Sequence, residues 1–484
     1  MKKTKIVGTI SDKNCDVAFL RRLYKAGLNV VRLNTAHQDF EQAQKVIDNV
    51  RAVSDQIAIL VDTKGPEIRT TGVREPIDVS TGDKLLFKGD ADKESTKSCI
   101  YVNYPEFVND VPQNAQLLID DGALKLVVAG KEDDCLVCEV KNDGSIEGHK
   151  SINVPSVSFG LPTLSEKDKE FIGFCIEQDV DFIAHSFVRN KEDVKAIQDI
   201  LDENNSKIKI IAKIENQAGV DNLDEILDLA YGVMVARGDL GIEIPYERIP
   251  GIQKMIINKC IARRKPVIIA TQMLHSMIGN PRPTRAEVSD VANAIFSKTD
   301  AIMLSGETAY GRYPCEAVET MTRIAREVEK ARSDIHDVPM VVLSNKRSAF
   351  LTKKAVEAAL ALNAKAIVAD SETGRSIRNM AGYRGKKPIF AFCYDKRTVR
   401  ELALSYGVFA EYIEETKNSY EFVHKALSRQ LEQNRLKNED LVVVIAGNYG
   451  SSFGASFIEI SPVEILLKRH EIIRDSGHDI VGLA

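Results

Sequence analysis

Ile208-Lys209-Ile210-Ile211-Ala212-Lys213-Ile214-Glu215 is a β-branched run that ends on two charges. A helical stretch at 222–230 follows, then a second apolar run, Gly232-Val233-Met234-Val235, which ends on Ala236-Arg237-Gly238-Asp239-Leu240-Gly241. Apolar strands without polar alternation belong to a buried parallel sheet whose connecting helices cover it. Working outward, the same texture places strands at 5–10, 29–33, 57–61, 181–184, 208–214, 232–235, 266–270 and 300–304. Helices fall between them at 17–26, 40–53 and 252–264. Eight such strands alternating with helices predict an α/β fold, a (β/α)8 TIM barrel, whose chemistry sits on the loops after the strands.

Between 71 and 157 the pattern changes to short alternating strands with turn signals such as Thr81-Gly82-Asp83, Lys88-Gly89-Asp90 and Asn142-Asp143-Gly144. This predicts a small β-barrel lid domain inserted after the third strand, over the catalytic end. From 341 onward, helices at 351–362, 376–383 and 398–405 alternate with strands at 366–369, 388–392 and 441–446, which predicts a doubly wound α/β domain. The expected layout is a barrel from 1–70 and 158–340, a lid at 71–157 and a C-terminal α/β domain at 341–484.

The 484 residues are 44% hydrophobic and 28% charged, ordinary for a globular protein. Lys plus Arg total 65 and Asp plus Glu 70, so the net charge of 65 − 70 = −5 supplies no global field for nucleic acid or an anionic membrane. The start turns polar at Ser11-Asp12-Lys13-Asn14 and no run approaches 18 apolar residues, so a cytoplasmic protein is expected. The 8 cysteines are scattered, which favours free thiols. Cys135 and Cys138 have CxxC spacing but no second pair, and in a strand they point to opposite faces.

Polar residues gather at the strand ends. Arg32 and Asn34 follow strand two, Asp62, Thr63, Lys64 and Arg69 strand three, and Ser186 strand four. Lys213 and Glu215 end strand five, Asp239 follows six, Thr271 ends seven, and Ser305 and Glu307 follow eight. A single charge there is more often a structural ion pair; charges at most strand ends describe an active site. Glu215 and Asp239 suit Mg²⁺, which takes one or two carboxylates and completes its shell with water and substrate oxygens. Arg32, Arg69 and Lys213 add cations for an anionic, phosphorylated substrate, so phosphoryl transfer fits best. Gly238 and Asp239 offer backbone N–H groups for a carboxylate. No Walker A sequence occurs. His185 and His275 also lie near the mouth, where a structural histidine is the commoner case. In the C-terminal domain Ser371-Glu372-Thr373-Gly374-Arg375-Ser376 and Gly447-Asn448-Tyr449-Gly450-Ser451-Ser452-Phe453-Gly454 are each explicable as turns. Together they outline a pocket for a phosphorylated allosteric effector contacted by Ser371, Thr373, Gly374, Arg375 and Ser376.

The chain resembles the pyruvate kinase family over nearly its whole length. The strongest matches are Asp62-Thr63-Lys64-Gly65-Pro66-Glu67-Ile68-Arg69, Lys213-Ile214-Glu215-Asn216, Met234 to Gly241, Pro281-Arg282-Pro283-Thr284-Arg285-Ala286-Glu287 and Met303-Leu304-Ser305-Gly306-Glu307-Thr308. The resemblance implies phosphoryl transfer from phosphoenolpyruvate to ADP, giving pyruvate and ATP, in a cytoplasmic homotetramer whose C-terminal domain, 341–484, is regulatory. It implies Mg²⁺ on Glu215 and Asp239, and K⁺ on Asn34, Asp62 and Thr63. Lys213, Arg32, Arg69 and Thr271 are the implied catalytic groups. Ser186, Gly238 and Asp239 join Lys213 and Thr271 around the substrate, and Asn34, His37, Arg69 and Lys167 face the nucleotide. Four departures stand out: Ala36 where the family usually has Ser, Ser11-Asp12 where it has Gly-Pro, His275 where Glu is frequent, and Glu372 where some relatives have Lys. Glu372 argues against assuming fructose 1,6-bisphosphate. Two other readings remain open at this point, a Mg²⁺-dependent 2-oxo acid lyase or aldolase and a catalytically inactive ligand sensor.

Overall fold

The computed structural model describes residues 1–36, 38–155, 157, 159–331, 339–342, 346–416, 418–447 and 454–468. Its first architectural unit is a closed barrel of parallel strands: β1 (Lys5–Thr9), β2 (Val30–Asn34), β3 (Ala58–Asp62), β4 (Phe182–His185), β5 (Lys209–Ile214), β6 (Gly232–Ala236), β7 (Val267–Ala270) and β8 (Ala301–Leu304). Because side chains alternate along each strand, Val7, Val30, Leu60, Phe182, Ile211 and Met234 fill the interior, while Ile6, Val31, Ile59, Ile183 and Ile210 meet the outer helices. The interior is therefore apolar to its rim. Register then sets the mouth: Asn34 pairs with Asp62, Asp62 with Ala184, His185 with Ala212 and Lys213 with Met234.

The insert between β3 and β4 forms a six-stranded sheet and a two-stranded ribbon around its own core, which includes Phe87, Phe107, Leu126 and Val140. Two chain crossings join it to the barrel, one leaving β3 through residues 64–69 and one returning through 159–164 ahead of the helix Glu166–Glu177. Within it Cys138 is buried and Cys135 half-buried, as opposite faces require, and all eight cysteines are free.

The C-terminal sheet runs in the order β11 (Val408–Tyr412), β10 (Ile389–Cys393), β9 (Ala366–Ser371), β12 (Leu441–Ala446), β13 (Phe457–Pro462). β13 is antiparallel to β12 and the rest are parallel. Apolar clusters lie on both sheet faces, as a doubly wound arrangement requires. Asp395 caps the helix Lys396–Glu401 through the N–H groups of Arg397 and Thr398, so this helix starts before the predicted 398 and gives way to a 3₁₀ turn at Leu402–Leu404. Leu404 packs with the barrel's interior residues. Arg384 holds Asp300 at 2.5 and 2.7 Å, and Arg400 holds Asp181 at 2.6 Å, across the junction of the two units.

Among the described residues no helix is long and apolar enough to cross a membrane.

Candidate active site

The strand-end residues meet in one buried network. Lys213 Nζ donates to Ser186 Oγ at 2.8 Å and lies 2.9 Å from Glu215 Oε1 and 3.2 Å from Asp62 Oδ2. Arg32 grips the Asp62 carboxylate with Nε at 3.0 Å and Nη2 at 2.7 Å, and its Nη1 donates to Thr9 Oγ1 at 3.0 Å. Cation and anion thus alternate from Arg32 to Glu215. Burial alone favours a neutral amine at Lys213, but Glu215 and Asp62 outweigh it and hold the ammonium above the usual lysine range. Burial likewise opposes ionisation of Asp62, and Arg32 with Lys213 overrides it, leaving that carboxyl below its ordinary range. Glu215 goes the other way: burial, aided by Asp239, pushes it up to about 7 against the pull of Lys213.

Ser186 links this network to the loop after β3. Its hydroxyl donates to Thr63 O at 2.6 Å, and its N–H donates to Thr63 Oγ1 at 3.0 Å. Thr63 Oγ1 also lies 3.2 Å from His185 Nδ1. Burial drives His185 down to about 4, so it stands neutral behind Thr63. His275 lies on the surface at the start of a 3₁₀ turn. Phe187, at φ +55°, donates its N–H to Glu215 Oε2 at 2.8 Å.

On the far side, Gly238 N–H donates to Thr271 Oγ1 at 2.9 Å, so the group expected to receive a carboxylate is paired within the protein here. Thr271 is at φ +66°, a conformation a β-branched residue rarely adopts. Arg237 Nη2 donates to Thr271 O at 2.7 Å and its Nη1 is tied to Asp290 at 2.8 Å, which holds the strained peptide in place. Glu307 accepts the N–H groups of Leu274 and Ser305.

Arg69 sits at the lid's root, paired with Glu67 and donating Nη1 to His149 O at 2.6 Å. Asn34 Oδ1 accepts Ala36 N–H at 3.2 Å. Lys167 is exposed in the first turn of the helix Glu166–Glu177. His37 lies outside the described residues. A cavity of about 380 Å³ opens between lid and barrel, with Ser186, Asp239, Arg189, Glu243 and Asn153 in its wall.

For a metal, the test is the state of the two carboxylates. Glu215 Oε1 is buried and receives no hydrogen bond, although Lys213 lies alongside. Among the described residues Asp239 makes no ion pair, and no set of three or more acidic, histidine or cysteine side chains is gathered. Glu215, whose Oε1 a metal would share with Lys213, and Asp239, which makes no ion pair among the described residues, fit the one or two carboxylates that Mg²⁺ takes. Asn34, Asp62 and Thr63 fit K⁺ less completely: Arg32 occupies both Asp62 oxygens, and Ala36 contributes no hydroxyl.

In the C-terminal domain Gly374, at φ +71°, donates its N–H to Ser371 Oγ at 2.9 Å and opens the helix Arg375–Gly382. Ser348 Oγ lies 3.5 Å from Ser376 Oγ. A Cβ on Gly454 would come within 3.2 Å of Ser348 Oγ and 3.8 Å of Ser376 Oγ, so the second glycine-rich loop returns to the same place. Its residues 448–453 lie outside the described residues. Glu372, Thr373 and Arg375 are all exposed in this turn.

Fold and site together define a barrel enzyme whose mouth pairs an ammonium and guanidinium groups with two metal-ready carboxylates. A family model described as "Pyruvate kinase, barrel domain" matches residues 1–318, and one described as "Pyruvate kinase, alpha/beta domain" matches 350–461. Proteins named pyruvate kinase are 48% identical in Borreliella burgdorferi (97% of this chain, 99% of that one) and 44% in Bacillus licheniformis (100% and 84%). One from Staphylococcus saprophyticus is 43% identical (92% and 78%). The chain belongs to the pyruvate kinase family, phosphotransferases that convert phosphoenolpyruvate and ADP to pyruvate and ATP. The lyase and sensor readings give way to this one.

Sequence reasoning missed Asp168, Phe187 and Arg237. Phe187 left no signal, since its role is carried by backbone. Arg237 stood inside a motif read for its neighbours.

Proposed function

We propose that the chain carries out this transfer by charge placement alone, with no covalent bond to the protein. Lys213 neutralises charge on the migrating phosphoryl group and the enolate oxygen. The observation that supports this most directly is its buried side chain, held by Ser186, Asp62 and Glu215 at 2.8, 3.2 and 2.9 Å before substrate arrives. Arg32, fixed by Asp62, and Arg69, at the lid's root, hold phosphate oxygens. A substrate carboxylate takes the Gly238 and Asp239 N–H groups, displacing Thr271 Oγ1 from Gly238 and freeing the hydroxyl beside the carbon to be protonated. Ser186 completes the substrate pocket by orienting Lys213.

Glu215 and Asp239 hold Mg²⁺, which when bound screens the negative charge of phosphate and enolate. Asn34, Asp62 and Thr63 face K⁺, and Asn34, His37, Arg69 and Lys167 face the nucleotide. The insert, 71–157, acts as a lid between the barrel segments 1–70 and 158–340. The domain from 341 onward binds a phosphorylated effector through Ser371, Thr373, Gly374, Arg375 and Ser376. The protein is a cytoplasmic homotetramer; for subunit contact, Tyr246 and Tyr310 are 83% and 75% exposed, and among the described residues β13 ends its sheet with Ile460 exposed.

Lys213→Met tests the central assignment. kcat falls at least ~100-fold while the KM for phosphoenolpyruvate changes little, because the ammonium acts on charge that develops in the transition state. A normal kcat with a raised KM would make Lys213 a ground-state binding residue.

A further inference from the structure

The two crossings that carry the lid are tied together at their base by one buried carboxylate. Asp168 is 1% exposed and stands at the third position of the helix Glu166–Glu177, which follows the return crossing. Its Oδ2 accepts from Ser165 N at 3.0 Å and Ser165 Oγ at 2.6 Å, which completes the helix's capping box with Ser165 Oγ accepting Asp168 N–H. A cap needs only that oxygen. The other, Oδ1, reaches across to the outgoing crossing and accepts Lys64 N–H at 2.8 Å and Gly65 N–H at 3.4 Å.

The peptide so held abuts the catalytic network. Gly65 is at φ +72°, and a Cβ there would lie 2.8 Å from Phe187 Cδ2 and 3.1 Å from Ser186 Cβ. Thr63, one residue before Lys64, receives the Ser186 hydroxyl on its carbonyl. Ser186 Oγ in turn receives Lys213, and Phe187 N–H holds Glu215. On the other side the crossing runs on to Arg69 and Thr70, which bridge Ser151 and Val102 of the lid.

We propose that Asp168 is a positioning residue for phosphoryl transfer: by clamping the Lys64–Gly65 peptide to the helix that bears Lys167, it sets the lid's pivot and the seat of Ser186 and Phe187. It acts through the peptide and touches no substrate. The proposal rests on the assignment of Lys213 and Glu215 given above.

The two oxygens allow a double dissociation. Asp168→Glu keeps the capping box, whose usual third residue is Glu, but its extra methylene carries the acceptor away from Lys64 and Gly65. Ser165→Ala removes the cap and leaves Oδ1 untouched. In Asp168→Glu, which stays folded at the assay temperature, kcat/KM for phosphoenolpyruvate falls at least about tenfold, as a displaced catalytic peptide demands. Hydrogen–deuterium exchange accelerates at Lys64 and Gly65. In Ser165→Ala the melting temperature drops, while kcat, both KM values and exchange at Lys64 and Gly65 stay as in the wild type. Asp168→Ala shows both defects; where it fails to fold, Asp168→Glu alone is read. Wild-type kinetics in Asp168→Glu, or an equal kinetic loss in Ser165→Ala, overturns the proposal. Lys213→Met, assayed in parallel, separates the two readings: a normal kcat there refutes the role of Lys213, whereas the pivot stands or falls on Asp168→Glu and Ser165→Ala.

Discussion

Ser186→Ala removes one oxygen from the centre of the site and leaves every charge in place. Lys213 loses its 2.8 Å bond to Ser186 Oγ but keeps Glu215 at 2.9 Å and Asp62 at 3.2 Å, so it remains an ammonium. What it loses is direction, since the hydroxyl that fixes its third contact is gone and only the two carboxylates remain. A hydrogen bond to a charged group contributes about 1.5–3 kcal/mol. If that energy is expressed in the transition state, kcat falls roughly tenfold to 150-fold, at about 1.36 kcal/mol per factor of ten. Thr63 O also loses its donor, which lowers stability by about 1–3 kcal/mol if no water replaces the hydroxyl. The assay is steady-state kinetics with phosphoenolpyruvate and ADP across pH, beside a thermal melt. The expected result is a lower kcat, a KM changed little, and an unaltered pH profile. A kcat within twofold of wild type would show that Ser186 does not aim Lys213, and a shifted basic limb would show that it had been holding the proton on.

Glu215→Gln and Asp239→Asn each raise the Mg²⁺ concentration needed for half-maximal activity, and the double variant costs less than the product of the two; an unchanged Mg²⁺ titration removes that residue from the site. K⁺ activates with weak apparent affinity, because a water must stand where Ala36 offers no hydroxyl, at up to ~2 kcal/mol of immobilisation entropy. Ala36→Ser tightens the K⁺ midpoint in titrations with tetramethylammonium holding ionic strength, and full wild-type activity without K⁺ would make the site vestigial. In a thermal-shift screen of phosphate esters, at least one stabilises the wild type more than the Arg375→Ala, Ser376→Ala variant; no such ester means that the loop is not an effector site.

Barrel strands were legible because burial on both faces leaves them uniformly apolar, and helix 40–53 and strand 441–446 are found with the expected bounds. β11 and the helix Ser419–Glu432 escaped notice. In β11 the charge of Glu411 breaks the apolar run, and only the fold brings Arg429 and Arg435 to it at 2.8 and 2.6 Å. β13 is a half-buried edge strand ending in Pro462, with little of a core strand's composition. At the site, strand-end positions were readable but pairings were not. Lys213 meets Ser186 and Asp62 only through barrel register, and Asp168 is in sequence one more acid in a helix's first turn, because its second oxygen acts on a peptide about a hundred residues earlier.

The insertion of the lid also orders events during synthesis. β3 pairs with β4 through Leu60 and Phe182, a separation of 182 − 60 = 122 residues, and β1 waits for β8 from Lys5 to Ala301. At elongation speeds of about 5–20 residues per second, the far edge of β3 stays without its neighbour for roughly 6–24 s. In that interval the insert, with a core of its own, can finish folding on the ribosome. The nascent barrel meanwhile presents an apolar open edge, the state in which a chaperone or a second nascent chain would find it.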